Sequence, residues 1–236
     1  MRLLAAALVV TVLTAACGDV GQTGAPWRGQ PGSTAPNAAG LVSLPCDGST
    51  PLEPTRPYYC RRDRHFVTPA ARDALIEAAK EMRDRYPGAV VRFMDASGPE
   101  GTKPFPPHLS HGDGRQIDLG LYYTDVEGRP LESFPATDRY GGYWPAEPPR
   151  PGEEIACPNG RSGRAEKPDP PADRPWRLDE ARTKVLVQIL AADPRVRRIL
   201  IEPHLERRFG LGGHPKLRFA GCQAARHDDH IHVDFH

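Results

Sequence analysis

Histidine and aspartate residues cluster at two places in this 236-residue chain. The segment HLSHGDGRQID covers residues 108–118, and the segment HDDHIH covers residues 227–232. Imidazole and carboxylate groups are common zinc ligands. Histidine also exchanges protons near neutral pH, as general acid–base catalysis requires. The two segments therefore predict a metal site, provided that the fold brings them together.

The positions of these residues on predicted strands favour such a meeting. His230 and His232 are two residues apart in a C-terminal strand, so both project from one face, opposite the apolar side chains. Asp118 lies in the alternating segment QIDLGLYY and also leaves the apolar face. His111 precedes that strand in a glycine-punctuated turn that can bend it towards Asp118. Two histidines and one carboxylate that converge from two strands would leave a fourth position for water, as in a catalytic zinc site.

Two other interpretations of the same residues stay open. An HxH pair occurs by chance in terminal segments, and an exposed histidine commonly has no function. A purely structural metal site would use a fourth protein ligand, which His108 or His227 could supply.

Taken together, the two segments resemble a group of zinc peptidases that contains lysostaphin-type endopeptidases, D-alanyl-D-alanine peptidases and the hedgehog domain. The resemblance rests on His111-x-x-Gly114-x-x-x-Asp118 followed by His230-x-His232. Within that group, the chain looks most like the penicillin-insensitive murein endopeptidases over roughly residues 65–236. The features it shares with them are Ser110 before His111, His108-x-x-His111, His227-x-x-His230-x-His232, LDEART at 178–183 and DPRVRRILI at 193–201.

The resemblance implies that His111, Asp118 and His232 bind one zinc ion. It also implies that His230 accepts a proton from water or stabilises the transition state, with His227 as an auxiliary catalytic residue. The implied reaction is hydrolysis of peptide cross-links in bacterial peptidoglycan, at the D-alanyl to meso-diaminopimelyl bond. Metal-activated water would replace a serine nucleophile, which agrees with insensitivity to β-lactams.

Three positions depart from the patterns of these peptidases. Gly112 stands where the family has glutamine, and Gln116 stands where it usually has aspartate, which puts substrate preference in doubt. Asp229 takes the place of a glutamate that is the base in related dipeptidases, so Asp229 competes with His230 for the proton-transfer role.

Two alternative functions are compatible with the same residues. A D,D-carboxypeptidase or dipeptidase would trim peptidoglycan stem peptides without cutting cross-links. A non-catalytic zinc-binding protein of the cell envelope would hold peptidoglycan or a partner, with full coordination by His108 or His227.

The elements that must position these residues indicate an α+β fold. We expect a small, mostly antiparallel sheet with flanking helices, long Pro/Gly-rich loops and the zinc site on the sheet. Thr68 and Pro69 are a typical helix start, and residues 125–176 are expected to form a long elaborated loop. The predicted helices are 70–86, 178–192 and 204–209, and the predicted strands are 89–96, 116–123, 196–201 and 230–235.

The N-terminal residues indicate export. Residues 1–16 have the charged start and short apolar run of a signal peptide, too short to span a membrane. Small residues before Cys17 resemble a bacterial lipobox, so we expect lipidation of Cys17, with ordinary secretion as the alternative. Residues 17–44 are predicted to be the lipobox cysteine and a flexible tether, and residues 45–236 the zinc metallopeptidase domain. This places the domain in the periplasm or cell envelope, with membrane contact only through the lipid anchor.

Four cysteines remain after Cys17, which in an exported chain suggests two disulfides with three possible pairings. The favoured pairing is Cys46–Cys60 with Cys157–Cys222, the second of which would pin the long loop to the catalytic end. A cysteine zinc site is disfavoured because no two of these residues have CxxC spacing.

Composition limits the remaining classes of function. Lys and Arg total 31 and Asp and Glu total 30, so the net charge is +1. No basic excess of the kind typical of nucleic-acid binders is present. The 27 prolines and 23 glycines predict a loop-rich chain, and 39% hydrophobic residues suffice for one packed domain.

Overall fold

The structure is a computed structural model that describes residues 29–102, 104, 108–132, 134–135, 146–161, 169–170 and 173–236. The predicted signal peptide and Cys17 lie outside these residues. Among the helices that the structure describes, none is long and apolar enough to cross a membrane.

Four helices and ten short strands make up the described fold. The helices are α1 (Pro57–Arg61), α2 (Pro69–Arg85), α3 (Glu180–Ala192) and α4 (Pro203–Arg208). The strands are β1 (Val42–Ser43), β2 (Leu52–Pro54), β3 (Phe66–Val67), β4 (Val91–Phe93), β5 (Gln116–Gly120), β6 (Tyr123–Asp125), β7 (Trp176–Leu178), β8 (Val196–Leu200), β9 (Leu217–Arg218) and β10 (His230–Phe235). The predicted α+β class is confirmed.

A mixed six-stranded sheet forms the centre of the molecule, in the order β2-β4-β5-β10-β8-β9. Strand β10 runs antiparallel to both of its neighbours, β5 and β8, whereas the outer pairs β2–β4 and β8–β9 are parallel. Strands β1 and β3 form a separate antiparallel pair, as do β6 and β7. The predominance of antiparallel pairing was also predicted.

The core lies where the helices meet this sheet. Helix α2 packs against α3 and β2, and α3 packs against β8. Ile231 and Val233 of β10, like Ile117 and Leu119 of β5, are completely buried. The polar residues of β10 are buried as well, because the opposite face of the sheet is also covered. The predicted alternation of apolar and polar residues along β5 and β10 is therefore right. The polar face is buried too, so both faces of these strands are covered.

The helix starts follow from their capping residues. The hydroxyl of Thr68 accepts a hydrogen bond from the backbone N–H of Ala71, and Pro69 occupies the first turn of α2. The side chain of Asp179 accepts a hydrogen bond from the N–H of Arg182 and caps α3. The helix predicted from residue 178 therefore begins two residues later, because Leu178 belongs to β7.

The predicted flexible tether is wrong at its C-terminal end. Val42 and Ser43 form β1, which pairs with β3, and Leu41, Val42 and Leu44 are buried. These apolar side chains bury enough surface to join the core, so the folded part begins before residue 45.

Both favoured disulfides are present, Cys46–Cys60 and Cys157–Cys222. The first ties the segment after β1 to helix α1. The second ties the long loop to the chain that leads into β10. The loop predicted over 125–176 is one residue shorter at each end, because Asp125 belongs to β6 and Trp176 to β7, and the described part between them contains no helix. It is held by Arg208, whose Nη1 lies 2.9 Å from Oε1 of Glu147 and whose Nε lies 2.8 Å from Oε1 of Glu153.

Gly114 links the end of the predicted tether to the loop that carries His111. Its φ is +78°, in the left-handed region, and an added Cβ would lie 2.4 Å from Leu41 Cδ2 and 3.0 Å from the backbone nitrogen of Thr68.

We therefore expect Gly114→Ala to lower the free energy of unfolding by about 1–3 kcal/mol more than Gly213→Ala. Gly213 is a matched control because its φ is +80° with no atom within 4 Å of the added Cβ. Denaturant unfolding measures the difference, and equal losses in the two variants would contradict the close approach.

Candidate metal centre

The centre of the candidate site is a pair of facing residues on neighbouring strands. In the register of β5 and β10, His232 lies directly opposite Asp118. Side chains of directly opposed residues project to the same side of the sheet and lie within contact distance. Accordingly, Nδ1 of His232 lies 2.9 Å from Oδ1 of Asp118. The convergence expected from the sequence is present.

His111 reaches the same oxygen from the loop before β5. Its Nε2 lies 3.3 Å from Oδ1 of Asp118, and its side chain is buried. The φ of His111 is +63°, an uncommon conformation for a residue with a side chain. Gly114 holds this loop in place, since its N–H donates to Ser97 Oγ at 2.8 Å and its carbonyl accepts from Thr68 N at 2.9 Å.

The distances from Asp118 to the two histidines are close to the ligand separations of a metal site. Zinc binds imidazole nitrogen and carboxylate oxygen at ~2.0–2.1 Å, so neighbouring ligands of a tetrahedral site are about 3.3 Å apart. The observed separations from Asp118 Oδ1 are 2.9 Å to His232 and 3.3 Å to His111. The rings of His111 and His232 lie edge to face with centroids 4.7 Å apart. Asp118 therefore lies within ligand spacing of both histidines, an arrangement of donor atoms that can hold a metal ion.

His230 lies beside this group on the same strand as His232. Its Nε2 is 3.9 Å from Oδ1 of Asp118, and its Nδ1 is 2.5 Å from Oδ1 of Asp229. A carboxylate on Nδ1 holds the ring in one orientation and favours the proton on that nitrogen. The Nε2 of His230 is then the nitrogen that can accept a proton on the side of the candidate ligands.

His227 also belongs to the cluster. Its ring centroid lies 4.9 Å from that of His230 and 6.1 Å from that of His232. The side chain is buried, and among the described residues its Nδ1 has no hydrogen-bond partner. All five residues predicted for metal binding or catalysis thus lie together.

The electrostatics of the site follow from the burial of opposite charges. Burial acts to raise the pKa of Asp118, but the imidazoles of His111 and His230 outweigh it and hold that pKa well below its usual range. Burial acts to lower the pKa of His232, but its contacts with Asp118 and Asp234 raise that pKa to about 9. Burial lowers the pKa of His111, and it lowers the pKa of His227 still further. Asp118 therefore stays ionised beside the neutral imidazole of His111 and the protonated imidazole of His232, so a metal ion would bind in exchange for the proton of His232.

His108 lies close to the candidate ligands and has an aspartate partner of its own. Its Nε2 is 2.9 Å from Oδ2 of Asp95, and its ring centroid is 4.5 Å from that of His111. His108, His111 and Asp118 form a group whose ligand atoms all lie within 4.8 Å of one another, and this group does not include His232. His108 therefore stays open as a further ligand.

Sequence reasoning missed two carboxylates that support the site. Asp95 pairs with His108 and with Arg64, whose Nη1 lies 3.2 Å from it. Asp234 lies 3.6 Å from Nε2 of His232 and accepts a hydrogen bond from Nε of Arg198 at 2.6 Å. Asp234 could have been found from the sequence, because it follows His230 and His232 at every second position of β10 and so lies on the same face. No pattern in the residues around Asp95 indicated that it lies at the site.

A second group with metal-ligand spacing is formed by Cys46, Cys60 and His65. The two sulfurs are bonded to each other, so neither is a thiolate that could bind an ion. Within the described residues, this leaves the cluster around Asp118 as the candidate metal centre.

No protein-family model matches the chain, and a search of curated proteins finds no match. The resemblance to murein endopeptidases therefore stays a prediction that rests on the residues themselves. Any assignment of function has to be argued from the side chains around Asp118.

We expect the protein to bind one zinc ion and the variants His111→Ala and Asp118→Ala to lose it, because each substitution would remove one of the three predicted ligands. Metal content after dialysis against zinc, measured by mass spectrometry, checks this. The control is His214→Ala, since His214 lies outside the cluster and its Nδ1 only accepts a hydrogen bond from Lys216 N. Full zinc occupancy in both ligand variants would show that the ion binds elsewhere.

Proposed function

We propose that this protein is a zinc-dependent peptidase that hydrolyses peptide cross-links in bacterial peptidoglycan. The observation that best supports the proposal is the convergence of His111, His230 and His232 on a single oxygen of Asp118. Three of these four side chains suffice as zinc ligands, and the fourth is positioned for proton transfer. The D-alanyl to meso-diaminopimelyl bond is the one that the motif resemblance implies.

The catalytic use of such a site depends on its open position. A zinc ion bound by His111, Asp118 and His232 would polarise a scissile carbonyl and lower the pKa of a water molecule. His230 is placed to accept that proton on Nε2 and to return it to the leaving amine. Asp229 supports this role because its carboxylate binds the Nδ1 side of the ring. We therefore assign Asp229 as the partner of His230 and His230 as the base.

His227 is placed to assist as a neutral group. Burial holds its pKa well below the usual value, so the imidazole carries no charge at neutral pH. A neutral imidazole can donate a hydrogen bond to a substrate oxygen without adding positive charge beside the metal ligands. Its ring lies against that of His230, so both act on the same region of the site.

The proposed location is the periplasm or cell envelope, with a lipid on Cys17 as the anchor. The two disulfides agree with an exported protein, because such bonds persist in oxidising compartments. The substrate of the proposed reaction is found in that compartment.

Purified cross-linked muropeptide dimers provide the direct test. We expect the full-length protein to convert dimers to monomers, and a chelator to abolish the conversion until zinc is restored. Mass spectrometry distinguishes the products. Intact dimers that lose a terminal D-alanine would indicate a carboxypeptidase, and unchanged dimers with zinc still bound would indicate a binding protein.

The variant His230→Ala is expected to keep zinc and lose activity by about 10²-fold or more, the usual contribution of a general base. Asp229→Asn should lose less, about 10-fold, because the ring of His230 remains but its orienting carboxylate is gone. The kcat on muropeptide dimers and the zinc content are measured for both. Activity retained in His230→Ala but lost in Asp229→Asn would move the base role to Asp229.

A further inference from the structure

In the chain that enters β10, the backbone of His227 is bound by a buried residue, Glu202, which lies between β8 and α4. The backbone N–H of Glu202 donates to the carbonyl of His227 at 3.1 Å. Its side-chain Oε1 in turn accepts from the backbone N–H of His227, also at 3.1 Å. Glu202 is only 3% exposed. One residue therefore binds both backbone polar groups of His227.

The second oxygen of this carboxylate is bound by Arg161, which belongs to the long loop between β6 and β7. Nη2 of Arg161 lies 2.6 Å from Oε2 of Glu202. Its Nη1 donates to the carbonyls of Ala224 at 3.3 Å and Gly221 at 3.5 Å. A guanidinium is a rigid planar group, so these contacts fix the loop and the carboxylate relative to each other. The Cys157–Cys222 disulfide joins the same two segments.

Stability alone does not account well for this ion pair. Burial raises the pKa of Glu202, because the ionised carboxylate loses hydration there. Buried ion pairs of this kind contribute little net stability, because desolvation offsets their attraction. A geometric role is the better explanation. The ring of His227 depends on its backbone for its position, because among the described residues no hydrogen bond to Nδ1 orients the ring.

We propose that Arg161 and Glu202 are positioning residues that hold His227 against His230, so that the long loop completes the catalytic site. The backbone of His227 determines where its ring lies. Glu202 holds that backbone in position through its hydrogen bonds, and Arg161 holds the carboxylate of Glu202. The catalytic consequence rests on the proposed peptidase function, whereas the positioning of His227 does not.

A double-mutant cycle on the full-length, zinc-loaded protein tests the proposal. We expect Arg161→Ala and Glu202→Gln each to lower kcat on muropeptide dimers by on the order of 10- to 100-fold, as small misplacements do. KM and zinc content should stay within about twofold of wild type, because neither residue is a ligand. In a His227→Ala background the same substitutions should lower kcat less than about twofold, since residues that act through one another are not additive.

Two further variants separate positioning from loss of fold. Arg161→Lys keeps the charge next to Glu202 and should recover part of the kcat lost in Arg161→Ala. Arg195→Ala removes an arginine that pairs with Glu77 and Asp193 away from the site, and should leave kcat unchanged. Equal losses of kcat with and without His227, or loss of zinc in the Arg161 variants, would overturn the proposal.

A spectroscopic measurement keeps the two proposals distinguishable. With ¹⁵N-labelled histidine, the imidazole signals of His227 should shift in Glu202→Gln while those of His214 stay unchanged. This result is expected even if the wild-type protein leaves muropeptide dimers intact, an outcome that would defeat the peptidase function alone. Unchanged His227 signals in Glu202→Gln would defeat the positioning role, whatever the activity.

Discussion

The buried carboxylate of Asp118 is the group around which the described structure is organised. Its Oδ1 has imidazole nitrogens of His232, His111 and His230 at 2.9, 3.3 and 3.9 Å. An ionised carboxylate in the interior loses its hydration and has to be compensated by charge and hydrogen bonding. The imidazoles supply that compensation, and a cation between them would supply more. The central strands, the His111 loop and the entry to β10 all serve to bring these groups to one atom.

The sheet fixes the relative position of Asp118 and His232, which cannot shift without breaking the cluster. Asp118 and His232 face each other because β5 and β10 pair in one register, and a shift by one residue would turn one of them into the apolar face. Ile231 and Val233 prevent that shift, since they are completely buried on the other side. The hydrophobic core on the other face therefore determines which residues of β5 and β10 face the polar site.

Loops position the remaining residues of the cluster. Each loop is attached by a contact to a segment that is distant in the sequence. The loop of His111 is closed by Gly114, which lies under Leu41 at the end of the predicted tether. The long Pro/Gly-rich loop is joined to the site by Cys157–Cys222 and by the contacts of Arg161. Segments that look like simple linkers in the sequence therefore support the cluster. This explains how a chain so rich in proline and glycine still builds a buried polar centre.

Much of the local structure was determined by the sequence alone. Strand β10 begins and ends where the alternation of His230 to Phe235 predicts, and α2 begins at the cap formed by Thr68. The spacing within the two histidine segments predicted which side chains meet at Asp118. These features depend on periodicity and on neighbours in the chain, so a short window of residues contains the necessary information.

Only the tertiary structure decided which distant residues support the site. Asp95 beside His108, Leu41 beneath Gly114, and the pair of Arg161 with Glu202 join residues that are far apart in the chain. A carboxylate or an arginine in a loop has no periodic pattern that identifies its partner. Such contacts arise when the sheet and helices pack and buried charges must be matched, and that matching depends on the whole fold.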